Sequence, residues 1–376
     1  MKAVQLEQPP NGAKKGERHV VAVRDVPMPR LHGNMVLVKI LAAGMNRRDE
    51  WSALGLYPGL TFENATLGCD GCGVVVDPTT LEPKAYAPLY LITPSRGWLR
   101  DPAGPEAALP NAPNSIRKNE YGGEGFAILG ATRGVCGAGT FTEYMGVDPS
   151  QLIPIPKHLT AVQSAALPCA AVTAYRAAFT KANIQSGQNV LITGIGGGVA
   201  LMALQLVVAA GANVYVTGGS PEKIERAKTL GAKGGALYRD ADWPKQVRGL
   251  LSAERPYLDA VVDSAGGEIS AQAIQAGLRD GGKVAVFGMT AVPKTTFSMR
   301  EVLKNVDLQG TTLGSAHEFA ECMRFIERHQ IQPCIDTVLD GLDKVNDGLA
   351  LLANAEKRSG GKVVLKVSSV SSQATL

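Results

Sequence analysis

Aromatic residues make up only 5% of this 376-residue chain, too few to supply the stacking platform of a single-strand nucleic-acid binder. Lys and Arg are dispersed and the formal net charge is +4, so the basic stripe of a nucleic-acid protein is missing too. Long hydrophobic runs are absent. The most apolar stretch, 199–210, contains Gln205 and is too short to span a bilayer. The first residues, Met1-Lys2-Ala3-Val4-Gln5-Leu6, read as a strand and not as a secretory segment. Six cysteines, at 69, 72, 136, 169, 322 and 334, are too few and too scattered for a disulfide scaffold. These absences lead to the expectation of a cytoplasmic protein in a reducing setting, without nucleic-acid or membrane partners. The Asn64-Ala65-Thr66 sequon is then accidental.

Glycine is what the chain has in abundance, 43 residues, implying many tight turns and close backbone approaches. A chain that is 45% hydrophobic and of this length fits two domains better than one. Residues 1–76 read as short β-elements, including a strand at 36–40 and a glycine-rich turn into a strand at 67–76. Residues 77–134 are rich in Pro, Gly and Asn around one apolar island, Leu89–Ile92. Such a long loop is either a lid or rim over an active site or a solvent-exposed insertion. Past Gln163 the pattern turns helical and then alternates. Strands are predicted at 189–193, 213–217, 258–263 and 283–287, with helices at 199–209, 221–230 and 271–278. That rhythm is a parallel sheet covered on both faces. Helices at 318–327 and 342–355 precede a strand at 362–367, which is assigned back to the first domain. The expected division is 1–160 with 312–376 against 161–311, ending in a disordered Ser-rich tail at 369–376.

The sharpest motif is Gly194-Ile195-Gly196-Gly197-Gly198-Val199-Ala200, which follows a predicted strand and opens a helix. That context marks a dinucleotide-binding turn, because side chains here would hold a pyrophosphate away from the free N–H groups of the helix start. After the second strand an NAD site carries an acidic residue for the ribose hydroxyls. This chain has Thr217-Gly218-Gly219-Ser220-Pro221-Glu222-Lys223. The missing carboxylate leaves room for a 2′-phosphate, with Ser220 as donor and Lys223 as charge, so the cofactor is expected to be NADP(H).

Several further motifs run along the chain: Gly44-Met45-Asn46-Arg47-Arg48-Asp49, Gly55-Leu56-Tyr57-Pro58, Gly68-Cys69-Asp70-Gly71, Gly139-Thr140-Phe141-Thr142-Glu143-Tyr144, Leu167-Pro168-Cys169-Ala170-Ala171-Val172-Thr173-Ala174-Tyr175 and Gly360-Gly361-Lys362-Val363-Val364-Leu365. With the glycine turn, they make the chain resemble the medium-chain dehydrogenase/reductase superfamily nearly end to end, nearest the zinc-independent quinone oxidoreductases and zinc-type alcohol dehydrogenase-like proteins. The resemblance implies an α/β chain, with a GroES-like β-barrel domain beside a doubly wound Rossmann domain and the nicotinamide held in the cleft between them. It implies cofactor contacts at Thr173, at Gly194, Ile195, Gly196, Gly197, Gly198 and Val199, and along Thr217, Gly218, Ser220 and Lys223. Further contacts are implied at Tyr238, Ser264, Phe287, Gly288 and Lys362. Relatives commonly form dimers, so a homodimer is expected. One departure is the stretch after Val76, where relatives continue into a barrel-closing strand and this chain reads Pro83-Lys84-Ala85-Tyr86-Ala87-Pro88.

The family's zinc enzymes place Cys, His and Cys at the catalytic metal, with Glu beside the His. The matching positions here hold Asn46, Cys69 and Cys169, with Asp at 70. The His is gone and an amide is a poor ligand, so no metal is expected. The four closely spaced cysteines of the structural zinc site are also missing. Without a metal, the oxygen that gains charge during hydride transfer needs a hydrogen-bond donor. The candidates are Asn46, whose alternative role is fixing a turn around Gly44, Tyr57, which resembles in its place a catalytic tyrosine of 2-enoyl-thioester reductases, and solvent. Arg47, Arg48 and Asp49 read as an ion pair fixing a loop. The expected activity is NADPH-dependent hydride transfer to a quinone, an α,β-unsaturated carbonyl or an aldehyde. The alternatives are a 2-enoyl-thioester reductase using Tyr57, for which the sequence leaves open whether Arg96, Arg100, Arg117 and Lys118 form a basic rim for a carrier phosphate, and a non-enzymatic NADPH-binding protein.

Overall fold

The computed structural model describes residues 1–9, 12, 16–354, 356 and 358–368. The tail expected to be disordered, 369–376, lies outside the described residues. Two compact units form, Met1–Cys169 with Ser315–Lys357 and Lys362–Leu376, and Ala170–Gly314 with Arg358–Gly361. Among the described residues, no helix is long and apolar enough to cross a membrane.

The first unit is GroES-like, built on a mixed sheet around the strand Val36–Met45. Its β-branched and aliphatic residues favour extended backbone, and Val38, Ile40, Ala43 and Met45 are buried in the core. It pairs antiparallel with Asp70–Val76, Tyr144–Val147 and Lys362–Lys366. The strand Ile335–Asp340 lies parallel to Lys362–Lys366. The last strand of the sequence therefore does return to the first unit, and it sets Lys362 beside residues more than 290 positions earlier. Gly44 lies within a strand and not at a turn, where a Cβ would come 2.3 Å from the Ala165 carbonyl oxygen. Glycine is needed there for close approach, not for turning.

The 77–134 segment is not one continuous loop. Leu89–Ile92 is a sheet strand between Asp70–Val76 and Leu152–Pro154, filling the place of the missing barrel-closing motif. Arg96, only 2% exposed, pairs with Glu120 at 2.8 Å and donates to the carbonyls of Thr93 and Ser95. Leu129, Ala131 and Val135 belong to the unit's core. The stretches around 89–98 and 127–135 are thus built into the fold, and exposure is concentrated at 77–88 and 99–119. Composition could not reveal this, because one buried arginine and a few aliphatics anchor a stretch that is otherwise polar.

The second unit is a Rossmann sheet of six parallel strands, ordered Gly234–Leu237, Asn213–Gly218, Asn189–Ile195, Leu258–Asp263, Leu278–Val286 and Asp307–Gly310. The order reverses between Asn189–Ile195 and Leu258–Asp263, so their carboxyl ends flank a topological switch point, where open α/β sheets bind ligands. The helices Gly198–Ala209 and Pro221–Thr229 follow the expected pattern. The helix expected at 271–278 is Ile269–Gln275, ended by Gly277 at φ +98°, and the next strand already starts at Leu278. The elements Gly234–Leu237, Trp243–Gly249 and Asp307–Gly310 gave no clear pattern, being four to seven residues long and carrying Gly or Pro.

Candidate functional site

Candidate functional groups gather at one place in each unit. In the second, the strand Asn189–Ile195 runs into the glycine turn and then the helix Gly198–Ala209. Gly194 and Gly196 have φ of +66° and +140°, backbone that side chains resist. Gly197 caps the helix without any side-chain hydrogen bond, leaving the first N–H groups available, and Gly197 itself is exposed. Such an end attracts anions. Ile195 is buried beneath the turn, Val199 half-buried behind it. The Lys223 side chain reaches this turn, and a Cβ on Gly196 would lie 3.8 Å from its Nζ.

The surrounding strand ends are tied together. The Gly194 N–H donates to the Thr217 hydroxyl at 3.3 Å. The Thr193 hydroxyl donates to Asp263 at 2.5 Å and accepts from the Ser264 N–H at 3.0 Å. Asp263 also accepts from the N–H groups of Ala265 and Gly266, which fixes the loop carrying Ser264. Burial, opposed by these bonds, holds its carboxyl above the usual range. Phe287 donates its N–H to the Asp263 carbonyl, and Gly288 lies over Ser264. Gly218 is buried at the end of its strand, and Ser220 is the N-cap of Pro221–Thr229. The Tyr238 hydroxyl lies against Gly219, where a Cβ would meet it at 2.7 Å. Thr173 is buried on the helix Pro168–Tyr175. Asp263 and Thr193 escaped the sequence reading, having no motif of their own. Their signal is the polar residue closing each of two adjacent apolar strands.

Lys362 is expected among the cofactor contacts. It belongs to the first unit, where its buried Nζ donates to Asn46 Oδ1 at 2.5 Å and to Asp70 Oδ2 at 2.8 Å. Asn46 Nδ2 in turn donates to Asp70 Oδ2 at 2.9 Å and to Cys69 Sγ at 3.4 Å. Asp70 Oδ1 accepts from the Cys169 N–H at 2.9 Å and from the Cys69 thiol at 3.4 Å. Both ends of the Asn46 amide are thus engaged inside the cluster. Burial opposes the Lys362 charge, but Asp70 and the adjacent thiols outweigh it and hold the amine above its ordinary range. The Cys69 thiol is pushed well upward by its hydrogen bond to Cys169, its burial and neighbouring Asp70. Donor atoms of Cys69, Asp70 and Cys169 lie within 4.8 Å of one another, close enough to converge on one ion.

Asn46 also starts the helix Arg47–Ala53, its N–H donating to Asp49 at 2.7 Å. Asp49 is fully buried, and burial pushes its carboxyl up to about 6 against the pull of Arg48. Arg48 and Asp49 do approach, at 3.9 Å, but they sit in a helix and not in a loop. Arg48 does more than pair with Asp49. Its guanidinium lies 4.3 Å from the centre of the Tyr57 ring and donates to the carbonyls of Leu129 and Gly130. Burial raises the Tyr57 phenol above its ordinary range, opposed by Arg48, so the hydroxyl keeps its proton at neutral pH. Three of the basic residues considered for a carrier-phosphate rim have partners of their own. Arg96 is buried, Arg117 donates to the Pro110 carbonyl, and Lys118 pairs loosely with Glu124.

Comparison with known proteins agrees with this architecture. Residues 198–328 match the family described as zinc-binding dehydrogenase. The chain is 40% identical over 368 residues to the zinc-type alcohol dehydrogenase-like protein YogA of Leptosphaeria maculans, covering 95% of this chain and 98% of that one. It is 30% identical to a zinc-type alcohol dehydrogenase-like protein of Schizosaccharomyces pombe, covering 91% and 93%. The crystal structure of an NAD-dependent alcohol dehydrogenase, 30% identical, superposes with a TM-score of 0.79 over 98% of this chain and 100% of that one. The chain belongs to the zinc-type alcohol dehydrogenase-like proteins of the medium-chain dehydrogenase/reductase superfamily.

Proposed function

We propose that this protein is an NADP(H)-dependent oxidoreductase that transfers hydride to a quinone, an α,β-unsaturated carbonyl or an aldehyde without a catalytic metal. One observation carries the reading: a glycine turn opens onto an uncapped helix start, with Lys223 beside Gly196. A bound reduced nicotinamide supplies the hydride. The chain's own groups do the rest. Backbone N–H groups at 198 and 199 hold a pyrophosphate. Ser220, Lys223 and Tyr238 meet a 2′-phosphate where an NAD site would need a carboxylate. Thr173, Ser264, Phe287 and Gly288 take the remaining cofactor contacts. On this reading the second unit, 170–314 with 358–361, is the dinucleotide domain and the first the catalytic one.

Asn46, with both ends of its amide engaged, is a positioning residue. Tyr57 is the proton donor to the substrate oxygen, with Arg48 orienting the phenol and supplying positive potential as charge develops. The residues do not fit a catalytic zinc. Asn46 is a weak ligand, and Asp70 already has a cationic partner in Lys362. A second reading, reduction of a 2-enoyl thioester, draws on the same Arg48–Tyr57 contact, which suits protonation of an enolate. A cytoplasmic homodimer is carried forward as well. Exposed Phe297, Met299, Val302 and Leu303 make an apolar patch of the kind that proteins cover.

The test is loss of reduced-nicotinamide absorbance with NADPH or NADH against a quinone, an enone, an aldehyde and a crotonyl thioester, with and without chelator. Chelator-resistant turnover of quinone or enone with NADPH is the expected result. Preference for the thioester moves the assignment to the second reading. Chelator-sensitive turnover sinks the metal-free reading. Tight NADPH binding without turnover of any substrate points to a non-enzymatic role.

A further inference from the structure

The Lys362 ammonium stands in an unusual position. It is 5% exposed, 2.5 Å from Asn46 Oδ1 and 2.8 Å from Asp70 Oδ2, at the polar heart of the first unit. The same carboxylate lies with Cys69 and Cys169 in a group whose donor atoms could converge on one ion. Two thiols and a carboxylate are competent ligands for a divalent transition metal once the thiols ionise. The carboxylate is already shared, however, and a second cation drawn to it would meet a buried positive charge it cannot escape. Inside a protein such repulsion between close charges weakens binding by roughly a hundredfold or more.

We infer that Lys362 is the resident cation of this cluster: it holds Asn46 and Asp70 in the place of a metal and keeps divalent ions off the Cys69–Asp70–Cys169 donor set. This rests on the metal-free reading above and adds the residue responsible. It also accounts for the geometry of Asn46. A neutral amide beside Asp70 completes the network because its oxygen accepts from the ammonium while its nitrogen donates to the carboxylate. Lys362 is therefore a positioning residue with a second task, exclusion.

The test compares the wild-type chain with Lys362→Gln, Lys362→Met and Lys362→Arg, titrated anaerobically with Co²⁺ and, by competition with a chromophoric chelator, with Zn²⁺. Lys362→Gln keeps a donor for Asn46 and Asp70 without the charge. It decides the matter if Lys362→Met does not fold. The expected result is one ion per chain in Lys362→Gln, with thiolate-to-cobalt absorption, at an affinity at least about a hundredfold above wild type. Lys362→Arg stays metal-free. The inference is overturned if folded Lys362→Gln binds no more tightly than wild type, or if Lys362→Arg binds as tightly as Lys362→Gln. If the wild type as isolated carries one zinc per chain, the metal-free reading falls together with the inference. If the wild type is metal-free and active while Lys362→Gln ignores cobalt, the inference alone falls.

Discussion

The two candidate sites are built by opposite means. The glycine turn of the second unit is a backbone object: five successive residues, Gly194 to Gly198, between a strand and a helix that are continuous in sequence. The cluster of the first unit is a side-chain object, in which Asn46, Asp70, Cys169 and Lys362 meet from four separate stretches of chain. The turn works by removing side chains so that N–H groups stay free. The cluster works by matching every donor to an acceptor in a dry interior. The first should tolerate changes around it and fail at its glycines. The second should fail at any member and be rescued only by coordinated change.

The largest effect is therefore expected at Lys362. Lys362→Met leaves the fully buried Asp70 without its ammonium, and breaking one side of a buried ion pair costs about 3–5 kcal/mol. Adding Asp70→Asn removes the stranded charge, and the double variant should recover most of the loss. Urea denaturation of the two single variants and the pair checks this as a cycle. Additive losses would show that the cluster is not a unit.

Asp49 tests the same region through pH. Its carboxyl is raised from 3.8 to about 6, mainly by burial. As pH climbs from 4 to 6 the unfolded chain loses this proton first, so the native state loses stability across that window. Below pH 4 both states hold the proton and the penalty vanishes. At 1.36 kcal/mol per unit the penalty above pH 6 is on the order of 2–3 kcal/mol. Asp49→Asn has no such proton to lose, and its amide oxygen can still accept the Asn46 N–H. Its stability relative to wild type should rise between pH 4 and 7, read from urea midpoints at several pH values. Parallel curves for the two proteins would remove Asp49 from the account.

The turn should respond differently. Gly196 sits at φ +140°, with Lys223 3.2 Å from the place of a Cβ. Gly196→Ala is expected to strain the turn by about 1–3 kcal/mol, weakening NADPH by roughly 5- to 100-fold while the first unit is unaffected. Fluorescence titration with NADPH measures the affinity, and the oxidation state and accessibility of Cys169 report the first unit. A change at Cys169 would mean that the two regions are not independent.

That contrast also explains what could be read from the chain. The second unit is legible because each strand and helix carries its own period, and the turn residues are neighbours in sequence. What failed there was short: Gly234–Leu237 and Asp307–Gly310 are too brief for a pattern. In the first unit Asn46, Cys69 and Cys169 could be singled out by their match to a known ligand set. Lys362 was assigned to the cofactor through the family resemblance. Nothing local says that its amine turns to Asn46, since that depends on Lys362–Lys366 pairing with Val36–Met45. Arg48 was read only in part for a similar reason. Its nearest charged neighbour in sequence is Asp49, but Tyr57 and the carbonyls at 129 and 130 are its packing partners.

The smallest effect is expected at Lys223, and it sharpens what the turn recognises. The side chain lies alongside Gly196, and Ser220 caps the helix that carries it. A single half-buried charge facing a phosphate adds about 1 kcal/mol or slightly more, because solvent and salt still screen it. Lys223→Ala should therefore weaken NADPH by roughly tenfold, leave NADH nearly unchanged, and lessen the salt dependence of NADPH binding. Equal losses for both cofactors would place the lysine at the shared pyrophosphate, leaving selectivity to Ser220 and Tyr238. No loss for either would return Lys223 to the solvated face of its helix, and the missing carboxylate after Gly218 would stand alone as the basis for choosing NADPH.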